Sequence, residues 1–249
     1  MTSPLAAALA EALDPVAFAR GRGFAPEVWQ ARLLRTVAPR VLVRCSRQVG
    51  KTTTVSYKAL HAAINVPKRD VLIVSPTQRQ SDEMLQRVAG VYRGMAEAPK
   101  LRRDNASEMG LSNGSRVISL PGSEGGIRGF ANVRLLVLDE AARIDDDVFA
   151  SVLPMVGSDG QILALSTPWG RRGWFYNLHE DDRSGWERHK VTVHESAQYT
   201  PQRIAEVRQA LGSFAFSSDY LCEFGDTDSQ LFSSEAVRAA FAPIQPLGV

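Results

Sequence analysis

The chain has 249 residues, enough for one large hydrophobic core or two small ones, and its 44% apolar and 22% charged residues are ordinary for a globular protein. A net charge of +2 gives no global field for a polyanion, so any such surface is local, and most of the positive charge is arginine, with lysine only at 51, 58, 68, 100 and 190. Two distant cysteines, Cys45 and Cys222, form neither a disulfide framework nor a zinc cluster, and no apolar run approaches membrane-spanning length, which predicts a soluble cytoplasmic chain with no membrane partner.

Residues 1–23 are alanine-rich and then arginine- and glycine-rich, which predicts a helix of modest burial followed by a flexible joint. Val28, Trp29, Leu33, Leu34 and Val37 are spaced for one face of a helix over residues 26–37. From there strands alternate with helices. An apolar strand at 41–44 runs into Cys45-Ser46-Arg47-Gln48-Val49-Gly50-Lys51-Thr52 and a helix over 52–64. A strand at 71–75 leads to a helix over 79–96, and residues 108–111 and 116–120 flank Asn113-Gly114, a hairpin signal. A strand at 135–138 leads to an acidic turn and a helix over 147–153; a strand at 162–165 leads to a loop and a further helix. Residues 186–193 suit an edge strand, 201–211 and 213–222 suit helices, and 234–241 a short helix before a proline-containing end. Apolar strands with short turns at their C-terminal ends predict a mostly parallel sheet with helices on both faces.

The loop ending in Gly50-Lys51-Thr52 sits between a strand and a helix, the setting in which free backbone N–H groups and the helix dipole capture phosphate. In that reading Ser46 to Thr53 surround the phosphates, Lys51 reaches the β- and γ-phosphates, and the Thr52 hydroxyl meets magnesium. Cys45 stands where such loops usually start with glycine; it reads as a small buried apolar residue, not a reactive thiol. Arg47, inside the loop, offers a guanidinium fork to phosphate oxygens.

Leu135-Leu136-Val137-Leu138-Asp139-Glu140 delivers two carboxylates at the C-terminal end of a buried strand, where open α/β sheets bind ligands. Asp139 suits magnesium, and Glu140 suits polarising the water that attacks a γ-phosphate. Ser166-Thr167-Pro168, at the end of another strand, offers hydroxyls to sense the γ-phosphate, although Ser, Thr and Pro also favour a plain turn. Arg128, on the glycine-rich run Gly125-Gly126-Ile127-Arg128-Gly129, is either an arginine finger for a neighbouring subunit's site or a surface loop arginine. Gln30 has the donor and acceptor that match an adenine edge, but a solvated helix glutamine fits as well. Asp145-Asp146-Asp147 reads as a helix cap before a metal site, and the four histidines show no zinc spacing.

The order of Ser46-Arg47-Gln48-Val49-Gly50-Lys51-Thr52, Val74-Ser75-Pro76-Thr77, Ile127-Arg128-Gly129, Leu138-Asp139-Glu140-Ala141-Ala142 and Ser166-Thr167-Pro168-Trp169-Gly170 resembles the ATPase domain of the large terminase subunit of tailed bacteriophages. The likeness extends roughly over residues 24–232. It implies an α/β P-loop NTPase fold of RecA/ASCE-like kind, with a central mostly parallel sheet flanked by helices and a small C-terminal lid and linker. It implies a division into residues 1–23, an ATPase domain over 24–225, and a linker over 226–249 toward a nuclease domain. Leu231-Phe232-Ser233 resembles the passage to that domain, so an isolated ATPase domain, or a nuclease encoded elsewhere, is expected, and no DNA cutting from these residues.

By the same resemblance, Gln30 contacts adenine, Lys51 and Thr52 hold phosphate and magnesium, Asp139 and Glu140 serve metal and water, and Ser166-Thr167-Pro168 couples hydrolysis to movement. Arg128 is the arginine donated between ring neighbours, and Arg47 the P-loop arginine acting within its own subunit. The cofactors implied are ATP and Mg2+; the partners are double-stranded DNA without sequence preference, a portal protein, a small terminase subunit and further copies of the chain in a ring. The place implied is the host cytoplasm, at the portal vertex of the procapsid. Two other readings share part of the motif set: a helicase-like DNA-dependent ATPase of superfamily 2 type, and a nucleotide-binding switch that hydrolyses poorly.

Overall fold

The computed structural model describes residues 3–95, 97–122, 127, 129–225 and 240. Its centre is one mixed sheet of eight strands in the order β3-β4-β5-β2-β6-β7-β1-β8. Six neighbouring strands run parallel: β5 (Arg116–Pro121), β2 (Asp70–Ser75), β6 (Val133–Asp139), β7 (Val156–Ser166), β1 (Arg40–Cys45) and β8 (Glu187–Val191). The hairpin expected around Asn113-Gly114 forms from β4 (Glu108–Leu111) and β5, antiparallel, with Gly114 at φ 86° in its turn. Beyond it lies β3 (Leu101–Asp104), an edge strand absent from the sequence expectation because it is mostly exposed and carries no alternating apolar pattern.

The pleat sorts each central strand between two cores. Val41, Val43, Val71, Ile73, Val137 and Leu165 face one side; Leu42, Leu72, Val74, Leu136, Leu138 and Ala164 face the other. The first face is covered by α3 (Val28–Arg35), α4 (Lys51–Asn65) and α5 (Gln78–Arg93), through Trp29, Leu33, Leu60 and Met84. The second is covered by α6 (Asp146–Val152) and α7 (Gly173–Glu180), with Phe149 stacked on Trp174 at 3.8 Å between ring centres. Strands buried on both faces read as continuous apolar runs, which is how β2 and β6 stand out in the sequence.

The first part of the chain splits in two. Helix α1 (Pro4–Leu13) buries no residue, whereas α2 (Pro15–Arg20) buries Val16, Phe18 and Ala19, with the Phe18 ring edge-on to Tyr57 and His61 of α4. At the other end, α8 (Pro201–Leu221) is broken at Gly212, φ 74°, matching the separate helices expected over 201–211 and 213–222. The helix expected over 234–241 lies outside the described residues except for Ala240. Among the described residues no helix is long and apolar enough to cross a membrane.

Candidate active site

The C-terminal ends of β1, β2, β6 and β7 open on one side into a cavity of about 580 Å3. The loop between β1 and α4 lends it Arg47, Gln48 and Lys51; the exit of β2 lends Pro76 and Thr77; Glu140 follows β6 and Thr167 follows β7. This is the edge at which open α/β sheets take ligands, because loops and helix N-termini converge there.

The β1–α4 loop is held from below and from the side. Cys45 and Val49 are fully buried, and burial pushes the Cys45 thiol up to about 12. The Ser46 N–H donates to Val191 of β8 at 2.8 Å, and the Tyr199 hydroxyl donates to the Arg47 carbonyl at 3.3 Å. Gly50 caps α4 at φ 86°, a backbone angle that calls for glycine, and a Cβ there would lie 2.9 Å from Gln30 Nε2 and displace the end of that side chain. Thr52 and Thr53 follow in the first turn of α4. Gln48, φ 54°, is one of two non-glycine residues at the cavity in the left-handed region. The other is Glu140, φ 52°, the residue that turns the chain off β6. Such conformations cost on the order of 1 kcal/mol or more and cluster where function holds them.

Lys51 carries the electrostatics. Its ammonium donates to Glu140 Oε1 and lies 3.8 Å from Asp139 Oδ1. Burial by itself lowers the Lys51 pKa, but the neighbouring acidic groups, Asp139 foremost, outweigh it and the net direction is upward. Asp139 moves up from the usual carboxylate range, chiefly through burial and further through Glu140, while Lys51 pulls it back. Asp139 Oδ1 is buried with no hydrogen-bond partner among the described residues. The Ser166 hydroxyl reaches Glu140 Oε2 at 3.5 Å, and Thr167 and Pro168 are buried directly behind it.

Other residues expected at the site stand differently. Gln30 closes a capping box at the start of α3: its Oε1 accepts from the Glu27 N–H at 2.8 Å, and its Nε2 donates to the Val49 carbonyl at 3.4 Å. Arg47 lines the cavity, yet its Nε is 2.8 Å from Asp219 Oδ2 in α8. Arg128 lies outside the described residues. Of the three aspartates, Asp145 stands at the N-cap position of α6 without a side-chain cap hydrogen bond, and Asp146 Oδ1 accepts the Trp174 N–H at 2.9 Å, a structural use. Sequence reasoning does not find Tyr199, Asp219 or Arg143: the first two reach the site through long-range packing, and Arg143, three residues after Glu140, belongs to no motif that marks it.

The fold is that of a P-loop NTPase of ASCE type, as comparison with solved structures shows. An arginine-to-alanine mutant of the large terminase ATPase domain from Thermus phage P74-26 superposes with a TM-score of 0.73 at 21% identity, over 83% of this chain and 97% of that one. The large terminase of a thermophilic bacteriophage matches in complex with ADP at a TM-score of 0.68 and 11% identity, over 80% of this chain and 54% of that one. Its complex with ATP-gamma-S matches at 0.63 and 13%, over 80% and 52%. Among curated proteins a sequence search finds no match. The family model described as "Terminase large subunit, T4likevirus-type, N-terminal" matches residues 43–238, so the chain belongs to the terminase large subunit family.

Proposed function

We propose that this chain is the ATP-hydrolysing motor domain of a viral large terminase, moving double-stranded DNA into a procapsid. The observation that carries the proposal is the cluster of Lys51, Asp139 and Glu140 at the cavity, in a chain of this family. The neighbours that hold ADP and ATP-gamma-S support a nucleoside triphosphate as the substrate. In this reading residues 24–225 are the motor domain, residues 1–23 precede it, and 226–249 lead away from it.

The Lys51–Glu140 pair occupies the slot that a γ-phosphate requires. An entering triphosphate draws Lys51 to its β- and γ-oxygens, and Glu140 is left without its cation. Glu140 then takes a proton from the attacking water as its oxygen bonds to the γ-phosphorus and the bond to the β-phosphate oxygen breaks. Within the loop from Ser46 to Thr53, the backbone N–H groups from Gln48 onward hold the phosphates, those of Ser46 and Arg47 being taken by the Val191 and Asp219 carbonyls; the Arg47 side chain is available once Asp219 releases it, and Gln30 lies beside the loop at Val49.

Magnesium fits the residues present: the unpartnered buried oxygen of Asp139 and the Thr52 hydroxyl are the oxygen donors a hard cation takes. When bound it neutralises charge building on the transferred phosphoryl group. Ser166, Thr167 and Pro168, through the hydroxyl on Glu140, pass the state of the site to the loop that follows.

Arg128 of a neighbouring copy completes the site, which makes hydrolysis depend on assembly into a ring. DNA is gripped through its phosphates by local arginines, without base preference. A portal protein and a small terminase subunit are the other partners, and the place of action is the procapsid portal vertex in the host cytoplasm.

Turnover per subunit measured against protein concentration tests the proposal. It rises with concentration in the wild type, and Arg128→Ala and Glu140→Gln are both inactive at every concentration. A flat profile with an active Arg128→Ala variant rules out the shared site. A fully active Glu140→Gln variant rules out the base.

A further inference from the structure

Two arginines stand at the phosphate cavity, and their surroundings differ. Arg47 is neutralised by Asp219 at 2.8 Å. Arg143 ends the 3-10 turn Ala141–Arg143 that follows Glu140, and it lines the same cavity as Lys51, Glu140 and Thr167. Among the described residues it has no carboxylate partner; instead its guanidinium carbon sits 3.9 Å from the centre of the Trp169 ring. A neutral ring holds a guanidinium without cancelling its charge. Arg143 therefore presents a net positive charge to whatever anion the cavity takes.

The ring is also the weaker partner. A cation–π contact on a half-exposed ring is weaker than a hydrogen bond from the same guanidinium to a charged phosphate oxygen. Trp169 is 41% exposed and follows Ser166-Thr167-Pro168 directly. Around this contact the two segments are tied together firmly. Trp174 donates its indole N–H to the Ile144 carbonyl at 2.9 Å and its backbone N–H to Asp146 at 2.9 Å. Between Trp169 and the anchored Trp174 stand Gly170, φ 70°, and Gly173, φ 76°, left-handed positions that favour glycine, and Arg171, whose Nε donates to the Phe224 carbonyl at 3.1 Å, so Trp169 is the exposed and least tied residue of this segment.

We propose that Arg143 reads the terminal phosphate within its own subunit, resting on Trp169 until a triphosphate draws it into the cavity and frees the loop that Trp169 begins. This rests on the nucleotide reading of the site given above. Arg143 is then a phosphate-binding residue, and Trp169 a positioning residue that acts through it. Diphosphate does not reach Arg143, so the contact with Trp169 persists after the phosphate has left.

The test is a titration of the full chain with N-methylanthraniloyl derivatives of ADP and of ATP-gamma-S, together with tryptophan emission. Arg143→Ala weakens binding of the triphosphate analogue about 10- to 100-fold and leaves the diphosphate unchanged. Arg143→Lys recovers part of the loss, since it keeps a charge without the planar fork. Trp169→Ala binds the triphosphate as tightly as the wild type or a few-fold tighter, because the competing partner is gone. Wild-type emission changes with triphosphate and not with diphosphate, and that change is lost in both Trp169→Phe and Arg143→Ala. An Arg143→Ala variant that distinguishes the two nucleotides as the wild type does overturns the proposal, and so does one that loses both equally. Failure of the nucleotide reading shows separately, as a wild-type chain that binds neither probe.

Discussion

The two ends of the sheet each hold a cavity, and the larger one lies at the end opposite the P-loop. At the N-terminal ends of β1, β6 and β7 a space of about 820 Å3 opens beside α4, against about 580 Å3 at the P-loop end. What separates them is whether their polar groups are content. In the larger space the Lys58 ammonium donates to the carbonyls of Leu33, Leu34 and Thr36 at 3.1–3.2 Å, completing the end of α3. Gln161 donates to Thr36 and Ala38, and Arg35 pairs with Asp14. At the P-loop end Lys51 is shared by two carboxylates, Asp139 Oδ1 has no hydrogen-bond partner among the described residues, and Gln48 and Glu140 hold positive φ. Binding capacity follows the unsatisfied groups, because a ligand there gains hydrogen bonds that the fold has left unmade. Volume alone points to the other end.

The comparison breaks most visibly at Glu140. Glu140→Gln lowers ATP turnover by about 10²- to 10⁴-fold, while nucleotide affinity holds or rises because Lys51 loses its competing carboxylate. Steady-state turnover and equilibrium binding on one preparation separate the two effects. The mirror experiment is Lys58→Met at the satisfied end. It leaves the Leu33 and Leu34 carbonyls without this donor, Thr36 keeping Gln161, and lowers stability by about 2–4 kcal/mol, with nucleotide affinity unchanged. Chemical denaturation and nucleotide titration check it, and lost affinity in a folded Lys58→Met chain would mean that the two ends are not separate.

A smaller effect sharpens the criterion. His179 Nε2 is also buried without a partner among the described residues, but it packs against Phe175 and Phe224 and no carboxylate contests a cation beside it there. Burial, with Arg44 and Arg188 nearby, lowers its pKa from 6.5 to about 3. Between those values the unfolded chain binds the extra proton. The stability that the neutral ring allows is therefore complete above pH 6.5 and is lost as pH falls toward 3. This group alone makes the chain about 2 kcal/mol less stable at pH 5 than at pH 7, and His179→Phe removes that part of the pH dependence in denaturation curves without altering nucleotide binding. A lone orphan atom is thus a stability feature; an orphan atom beside a contested cation is a site.

The smallest expected signal is a negative one. Cys45 lies beneath the phosphate loop with its thiol pushed up to about 12, and Cys222 is raised as well, both by burial. Neither is alkylated by iodoacetamide at pH 8 in the native chain, and both react once it is unfolded; rapid labelling of Cys45 in the native state would mean that the loop opens to solvent.

Some of this was legible in the sequence for local reasons. β1, β2, β6 and the inner half of β7 each carry an apolar run (41–43, 71–74, 135–138 and 162–165) because both faces of a central parallel strand are buried. Asn113-Gly114 announces its turn, and Gly212 its break in α8, through backbone angles that few other residues adopt. The loop from Ser46 to Thr53 and the pair Asp139-Glu140 can be picked out because each is a short stretch whose residues act together where they stand. Residues 156–161 and β3 escaped because they are polar, glycine-containing or exposed, and their strand character comes from the neighbour they pair with.

The amino-acid order by itself determined the alternation of strand and helix, and it offered residues whose chemistry suits a phosphate, since periodicity and loop chemistry are local properties. Only the tertiary structure decided which of them meet. It put Lys51 on Glu140, placed Gln30 in a helix cap, paired Arg47 with Asp219 and set Arg143 on Trp169. Those outcomes depend on distances between segments far apart in the chain, and on a contest for partners that is settled only when the sheet brings the competitors together.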